Sequence, residues 1–340
     1  MNTNMQKQQP VSERNRVGLG TFPLASVFSK INTDQAKDVV RKFLSDGGYY
    51  IDTAPMYGFG EVENLLREVL KEFSRDKYYL ITKCGYVDVE GKTFQTIQKS
   101  GKYNDVIREC DRSMQRLGVD FIDLYFMHSP DPTTPYDETM YALRTLKKQG
   151  KIKHIGVSNV DLSELINYNN QGEVEYIQNR FSLLNRSIND ELSSYLLEHK
   201  IGLIPYQVID RGQLTGKVNE GIAQLKDGDL RVGRSDWLPE KVNVIADWVK
   251  SKITPLAKEW SMTIGQLSIA WALRQPYLDF VIVGVTNPTY IPINLKANSI
   301  KLTREQLAQV DMAYSELENK IMTEFKMTLR EFRGFNEKYY

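Results

Sequence analysis

The chain has 340 residues, 41% of them hydrophobic and 26% charged, with 44 basic and 43 acidic side chains and a formal net charge of +1. This is the composition of a soluble globular protein, and so small a net charge gives no electrostatic footing for nucleic acid or an anionic membrane surface. The longest apolar runs, such as Phe280 to Val285, are strand-sized and far short of the roughly 20 residues of a membrane helix.

Met1 to Pro10 is polar, with no apolar stretch of the kind a secretory signal needs, and residues 1–15 read as a flexible tail. Cys84 and Cys110 lack CxxC spacing, so neither a disulfide framework nor a metal site is expected. A reducing cytoplasm is the compartment that follows.

Strand-like runs fall at 17–21, 49–54, 78–83, 122–128, 153–158, 175–179, 201–207 and 279–284, separated by stretches with helical apolar spacing. In Asp34 to Leu44, Ala36, Val39, Val40 and Phe43 share one face, Thr33 and Asp34 offer capping groups, and Gly47-Gly48 end the helix. Tyr103 to Leu117 repeats the pattern, with Gly118 after it. Eight strand-plus-helix units predict one (β/α)₈ barrel over 16–318, a fold that typically takes roughly 250 residues before insertions. A doubly wound dinucleotide fold demands a glycine-rich turn opening the first helix. Gly18-Leu19-Gly20-Thr21-Phe22-Pro23 lacks the third glycine and runs into a long loop.

Two polar excursions, Cys84 to Lys102 and Asp210 to Pro239, follow the third and seventh strands, on the rim where barrel chemistry gathers. A helix is expected over Arg304 to Glu318. Residues 319–340 then form an extension whose Phe325, Phe332, Phe335, Tyr339 and Tyr340 are too aromatic for an idle end, so it is expected to pack on the barrel or a partner.

Four ionisable residues end these strands or lie just beyond them: Asp52, Tyr57, Lys83 and His128. A free phenol, with a pKa of about 10, is a poor acid at neutral pH; an ammonium beside it favours the phenolate and makes it a usable proton donor. Lys83 is expected to play that part for Tyr57, with Asp52 as its counter-charge. His128 is expected to fix a carbonyl oxygen and stabilise the negative charge developing there. No side chain delivers hydride, so the site needs a redox cofactor. Ser158, Asn159 and Gln178 can hydrogen-bond a carboxamide, and Tyr206 offers a ring on which a nicotinamide can stack.

Five ordered segments carry a family resemblance: Ile51 to Gly58, Thr82-Lys83, Leu117 to Leu124 leading to His128, Gly150 to Asn159, and Arg211 to Lys217. From about Val17 to Asp311 the chain resembles the aldo-keto reductases, within them the branch that includes galactose-type and other aldose dehydrogenases. The resemblance implies a monomer or small homo-oligomer binding NADP(H) or NAD(H) at the rim and interconverting an alcohol with a carbonyl, whether aldehyde, ketone or sugar hemiacetal. By motif, Tyr57 matches the general acid/base, Asp52 and Lys83 its tuning pair, and His128 the substrate-orienting group. Ser158, Asn159 and Gln178 match the carboxamide contacts and Tyr206 the stacking ring. Gly20, Thr21 and Phe22 match the turn beneath the nicotinamide. Leu214, Gly216 and Lys217 belong to the pyrophosphate loop, with Gln207 shortly before it. Gly284, Thr286 and Asn294 belong to the adenosine end.

NADP(H) is the family default, yet Gly284-Val285-Thr286-Asn287-Pro288-Thr289-Tyr290 supplies no cation for a 2′-phosphate before Lys296. Either NAD(H) is used, or a basic residue of the 210–239 excursion, such as Lys217, Arg231 or Arg234, holds the phosphate. Two rivals to a reductase share the barrel. One is a cofactor-sensing subunit of the channel-β-subunit type; the other is a lyase using Lys83 as an amine nucleophile, which a charged lysine serves poorly. Elsewhere the plain readings stand: His154 and His199 as structural, Cys84 as a packing residue, Glu61, Glu63, Arg67 and Glu68 as a solvated helix face, and Met262 to Trp271 as core helix.

Overall fold

A computed structural model of the chain describes residues 14–28, 30–89, 91–93, 96–216, 225 and 228–334. Eight strands form one parallel sheet: β1 Val17–Gly20, β2 Tyr50–Asp52, β3 Tyr79–Cys84, β6 Ile122–Met127, β7 Ile152–Ser158, β8 Tyr176–Gln178, β9 Gly202–Leu203 and β10 Val281–Gly284. The sheet begins at β10, which pairs with β1, and runs in order to β9. It closes where Asp279 donates its backbone N–H to Leu203 and Ile282 donates to Pro205, at 3.1 and 2.9 Å. All eight expected strands are present, in a (β/α)₈ barrel.

Helix Thr33–Ser45 forms as its apolar spacing predicts, but its N-cap is Asn32, whose side chain accepts from the Gln35 N–H at 2.7 Å; Thr33 and Asp34 are already inside it. Gly47, at φ 87, carries the chain out. Helix Tyr103–Leu117 has the expected bounds, with Gly118 left-handed at φ 66 after it.

Two layers of core flank the sheet. Outward-facing residues such as Leu80, Tyr125, Ile155 and Val281 meet the helices. Inward-facing Tyr50, Tyr79, Ile81, Leu124, Phe126, Ile204, Phe280 and Ile282 plug the barrel, with Tyr50 stacked on Phe280 at 3.8 Å. At Gly156 a Cβ would lie 2.2 Å from the Phe126 ring, so only glycine lets that ring sit there. Chemistry is thereby confined to the rim above the plug.

The excursion after β3 is not open coil. Its strands β4 Tyr86–Val87 and β5 Gln98–Lys99 pair antiparallel beside the mouth. The C-terminal helix runs seven residues past the expected Glu318, as Arg304–Phe325, and a short helix, Leu329–Phe332, follows with its own capping box. Its Phe332 is buried and packs on Phe325 at 4.8 Å. Phe335, Tyr339, Tyr340 and Lys217 lie outside the described residues. At the other end, barrel contacts begin two residues earlier than expected: Arg14 lies over the Tyr49 ring and Asn15 donates to the Leu295 carbonyl. Among the described residues, no helix is long and apolar enough to cross a membrane.

Candidate active site

The carboxyl ends of the strands put the predicted residues on one rim. Lys83, fully buried, donates from Nζ to Asp52 Oδ1 at 2.7 Å and to the Thr53 carbonyl at 2.8 Å. Gln178, across the barrel on β8, donates to the same Asp52 oxygen at 2.8 Å. Burial pulls the Lys83 pKa below the usual ammonium value, and Asp52 works against that pull.

Tyr57 opens a tight turn, Tyr57–Gly60, directly after β2. Its ring lies 5.2 Å from Lys83 Nζ, 4.9 Å from the Phe22 ring and 6.1 Å from the His128 imidazole. Burial, reinforced by Lys83 and Lys99, holds His128 well below the usual histidine range, so the ring is neutral at physiological pH. A neutral imidazole still carries one N–H and can donate it to a carbonyl oxygen. Tyr86 stands edge-on to His128 at 5.4 Å, and Lys99 reaches Ser129 Oγ at 3.3 Å, so the β4–β5 hairpin supplies a polar wall to the mouth.

The expected carboxamide contacts form a second cluster. Asn159, left-handed at φ 59, donates to the His128 carbonyl at 2.7 Å and accepts from Tyr206 Oη at 2.6 Å; Ser158 Oγ donates to the Gln178 carbonyl at 2.6 Å. Asn159 and Ser158 are thus bonded within the protein, whereas the Gln178 side-chain oxygen has no hydrogen bond among the described residues. Gln207, at φ 57, buries an Oε1 without a partner among the described residues. Two unanswered amide oxygens on the rim suit a ligand bearing N–H donors, as a nicotinamide carboxamide does.

Thr21 Oγ1 donates to the Asp52 carbonyl at 2.9 Å, and Gly20 pairs in register with Gly284. Leu214 is buried, and Gly216 is left-handed at φ 78. The Thr286 carbonyl accepts from Gln35 Nε2, and Asn294 is half-buried in helix Ile291–Lys296. Arg231 and Arg234, offered as phosphate holders, are paired with Asp229 at 2.6 Å and Asp236 at 3.0 Å.

One plain reading fails. Glu63 is fully buried, not solvated: it accepts from Thr82 Oγ1 at 2.7 Å and Arg116 Nε at 2.7 Å, binding the helix after the Tyr57 turn to the outer side of β3. The signal was its spacing with Leu66 and Leu70 on that helix's apolar face. Cys84 and Cys110 are buried free thiols whose pKa values burial raises, as packing residues require.

A parallel barrel with a buried lysine–aspartate pair, a tyrosine and a neutral histidine on one rim has the makings of an oxidoreductase. The family model described as aldo/keto reductase family matches residues 16–315, and the chain belongs to that family. It is 31% identical over 300 residues to an NADH-specific methylglyoxal reductase of Escherichia coli strain K12, covering 85% of this chain and 91% of that one. It is 30% identical over 279 residues to the aldo-keto reductase YhdN of Bacillus subtilis strain 168, covering 81% and 82%. Among solved structures it resembles a glycerol dehydrogenase from Gluconobacter oxydans, with a TM-score of 0.79, 26% identity, and coverage of 88% and 91%. The chain is therefore an enzyme of nicotinamide-dependent oxidoreduction.

Proposed function

We propose that the enzyme interconverts a small, oxygen-rich carbonyl compound and its alcohol, with Tyr57 as the general acid/base. The observation that carries this reading is Lys83 Nζ, buried and paired with Asp52, at 5.2 Å from the Tyr57 ring. A nicotinamide held by these residues would supply or take the hydride. In the reducing direction, the His128 N–H orients the substrate oxygen, and Tyr57 protonates it as charge builds there; oxidation reverses the proton's path. Asp52 keeps the ammonium of Lys83 charged in a site that burial would otherwise neutralise.

Gln178, Gln207, Asn159 and Ser158 would hold the carboxamide, Tyr206 the ring face, and the 210–216 loop the pyrophosphate. NADH is favoured over NADPH. Thr286 to Leu295 holds no lysine or arginine, Arg231 and Arg234 already face carboxylates, and the E. coli relative is named as NADH-specific. The polar wall of Tyr86, Lys99 and Ser129 supports a small oxygenated substrate, in keeping with relatives named for methylglyoxal and glycerol.

Turnover of NADH with a panel of short hydroxylated and dicarbonyl aldehydes tests the assignment. Tyr57→Phe should lower kcat by about 10²–10⁴ while NADH still binds, given the usual worth of a positioned proton donor. Turnover persisting in that variant would remove Tyr57 from the mechanism. Cofactor binding without turnover of any carbonyl would favour a sensing role.

A further inference from the structure

The 210–216 loop is strained at its start. Asp210 and Arg211 are consecutive non-glycine residues at φ 46 and 51, followed by Gly212 at φ 99. Such a run persists only where its surroundings over-determine it. The surroundings come from far along the chain. Arg333, in the C-terminal segment after helix Leu329–Phe332, is wholly buried, donating from Nη1 to Gln213 Oε1 at 2.6 Å and pairing through Nη2 with Asp210. The segment is itself anchored: Phe332 is 1% exposed, and Gly334 passes so close to Ser235 that a Cβ would lie 2.8 Å from its Oγ. Arg211 completes the frame through Asp236, at 2.7 Å.

A guanidinium with no access to water must keep its acceptors, so the tail cannot lift without stranding a charge, and the loop cannot open without stranding the same charge from the other side. Tail docking and loop shape are therefore coupled. We propose that Arg333 is a positioning residue that latches the 210–216 loop closed, so that the C-terminal segment sets how tightly the dinucleotide is held and how fast it leaves. The inference rests on the reading of that loop as the pyrophosphate holder. The bonds of Arg333 run to Gln213 and Asp210 on the loop, so its removal should act on nucleotide exchange and not on proton transfer.

The test is an NADH fluorescence titration and a stopped-flow release measurement on the full chain, alongside steady-state kinetics. In Arg333→Met, which keeps much of the side chain's volume, the NADH Kd, KM and release rate should each rise about tenfold, with kcat changing less than threefold. Arg333→Lys, which keeps the charge, should recover part of the affinity. A Kd rise below threefold in folded Arg333→Met overturns the latch. Should Arg333→Met fail to fold, Gln213→Leu decides on the same threshold, because it removes one bond and leaves the ion pair. Wild-type protein that binds no dinucleotide overturns the loop assignment and the latch together, whereas tight wild-type binding with an unaffected Arg333→Met overturns the latch alone.

Discussion

Lys83 and Gln178 donate to the same oxygen of Asp52, at 2.7 and 2.8 Å, so one carboxylate ties β3 to β8 across the barrel mouth. Asp52→Asn leaves the buried ammonium without its counter-charge. Desolvation already lowers the Lys83 pKa and Asp52 opposes it, so the variant's lysine sheds its proton at a lower pH than before. The expected cost is about 3–5 kcal/mol of stability in urea, the usual penalty for halving a buried pair. Activity should fall with it and recover partly as pH is lowered and the ammonium reforms. A variant profile parallel to the wild type would show that the pair does not govern the chemistry.

Tyr206 can be dissected in two steps. Its hydroxyl bonds Asn159 Oδ1 at 2.6 Å, and Asn159 in turn braces the His128 carbonyl. Tyr206→Phe removes one hydrogen bond but keeps the ring, so nucleotide affinity should weaken by about 1 kcal/mol, roughly fivefold. Tyr206→Leu also removes the stacking face and should weaken binding further by a similar amount. Equal titration curves for the two variants would mean that no ring stacks there.

The barrel and its rim were legible because they depend on local pattern. Strand-sized apolar runs alternating with helical spacing predict a parallel closed sheet, and residues at strand ends such as Asp52, Lys83 and His128 must then face one another. What stayed hidden depends on contacts far apart in the chain. The spacing of Glu63 with Leu66 and Leu70 marks it for the inner face of its helix, but nothing local shows that Thr82 and Arg116 answer its charge there. Arg333 lies 120 residues beyond Gln213, and no periodicity connects the two. The paired hairpin β4–β5 was also invisible, since two strands of two residues each leave no alternation to read.

The neutral state of His128 has a thermodynamic signature. Its folded pKa is depressed by burial and by Lys83 and Lys99, so below the ordinary histidine value of about 6.5 the unfolded chain binds a proton that the folded one refuses. Stability is complete above that pH and falls as pH drops below it, by up to about 1.4 kcal/mol per pH unit from this group. Urea unfolding of wild type and His128→Asn between pH 7 and 5 isolates the contribution. The wild type should lose more stability than the variant over that interval, and parallel curves would contradict a neutral buried imidazole.

The choice between NADH and NADPH turns on where a 2′-phosphate could find positive charge. Beyond Gly284 the chain passes through Thr286, whose carbonyl is held by Gln35, and meets no cation before the exposed Lys296. Arg231 would have to leave Asp229, stranding a carboxylate that is 4% exposed, and Arg234 would have to leave Asp236, a buried carboxylate it shares with Arg211. A dianionic phosphate entering beside Thr286 would lose water without gaining a cation from residues 286–295, whereas the free ribose hydroxyls of NADH need none. Thr286→Arg should therefore raise NADPH affinity about tenfold or more, since a hydrogen bond to a charged group contributes about 1.5–3 kcal/mol, and should leave NADH affinity nearly unchanged. Titration of both nucleotides against both proteins checks this, and a wild-type site that already prefers NADPH would place the phosphate on a cation elsewhere on the rim.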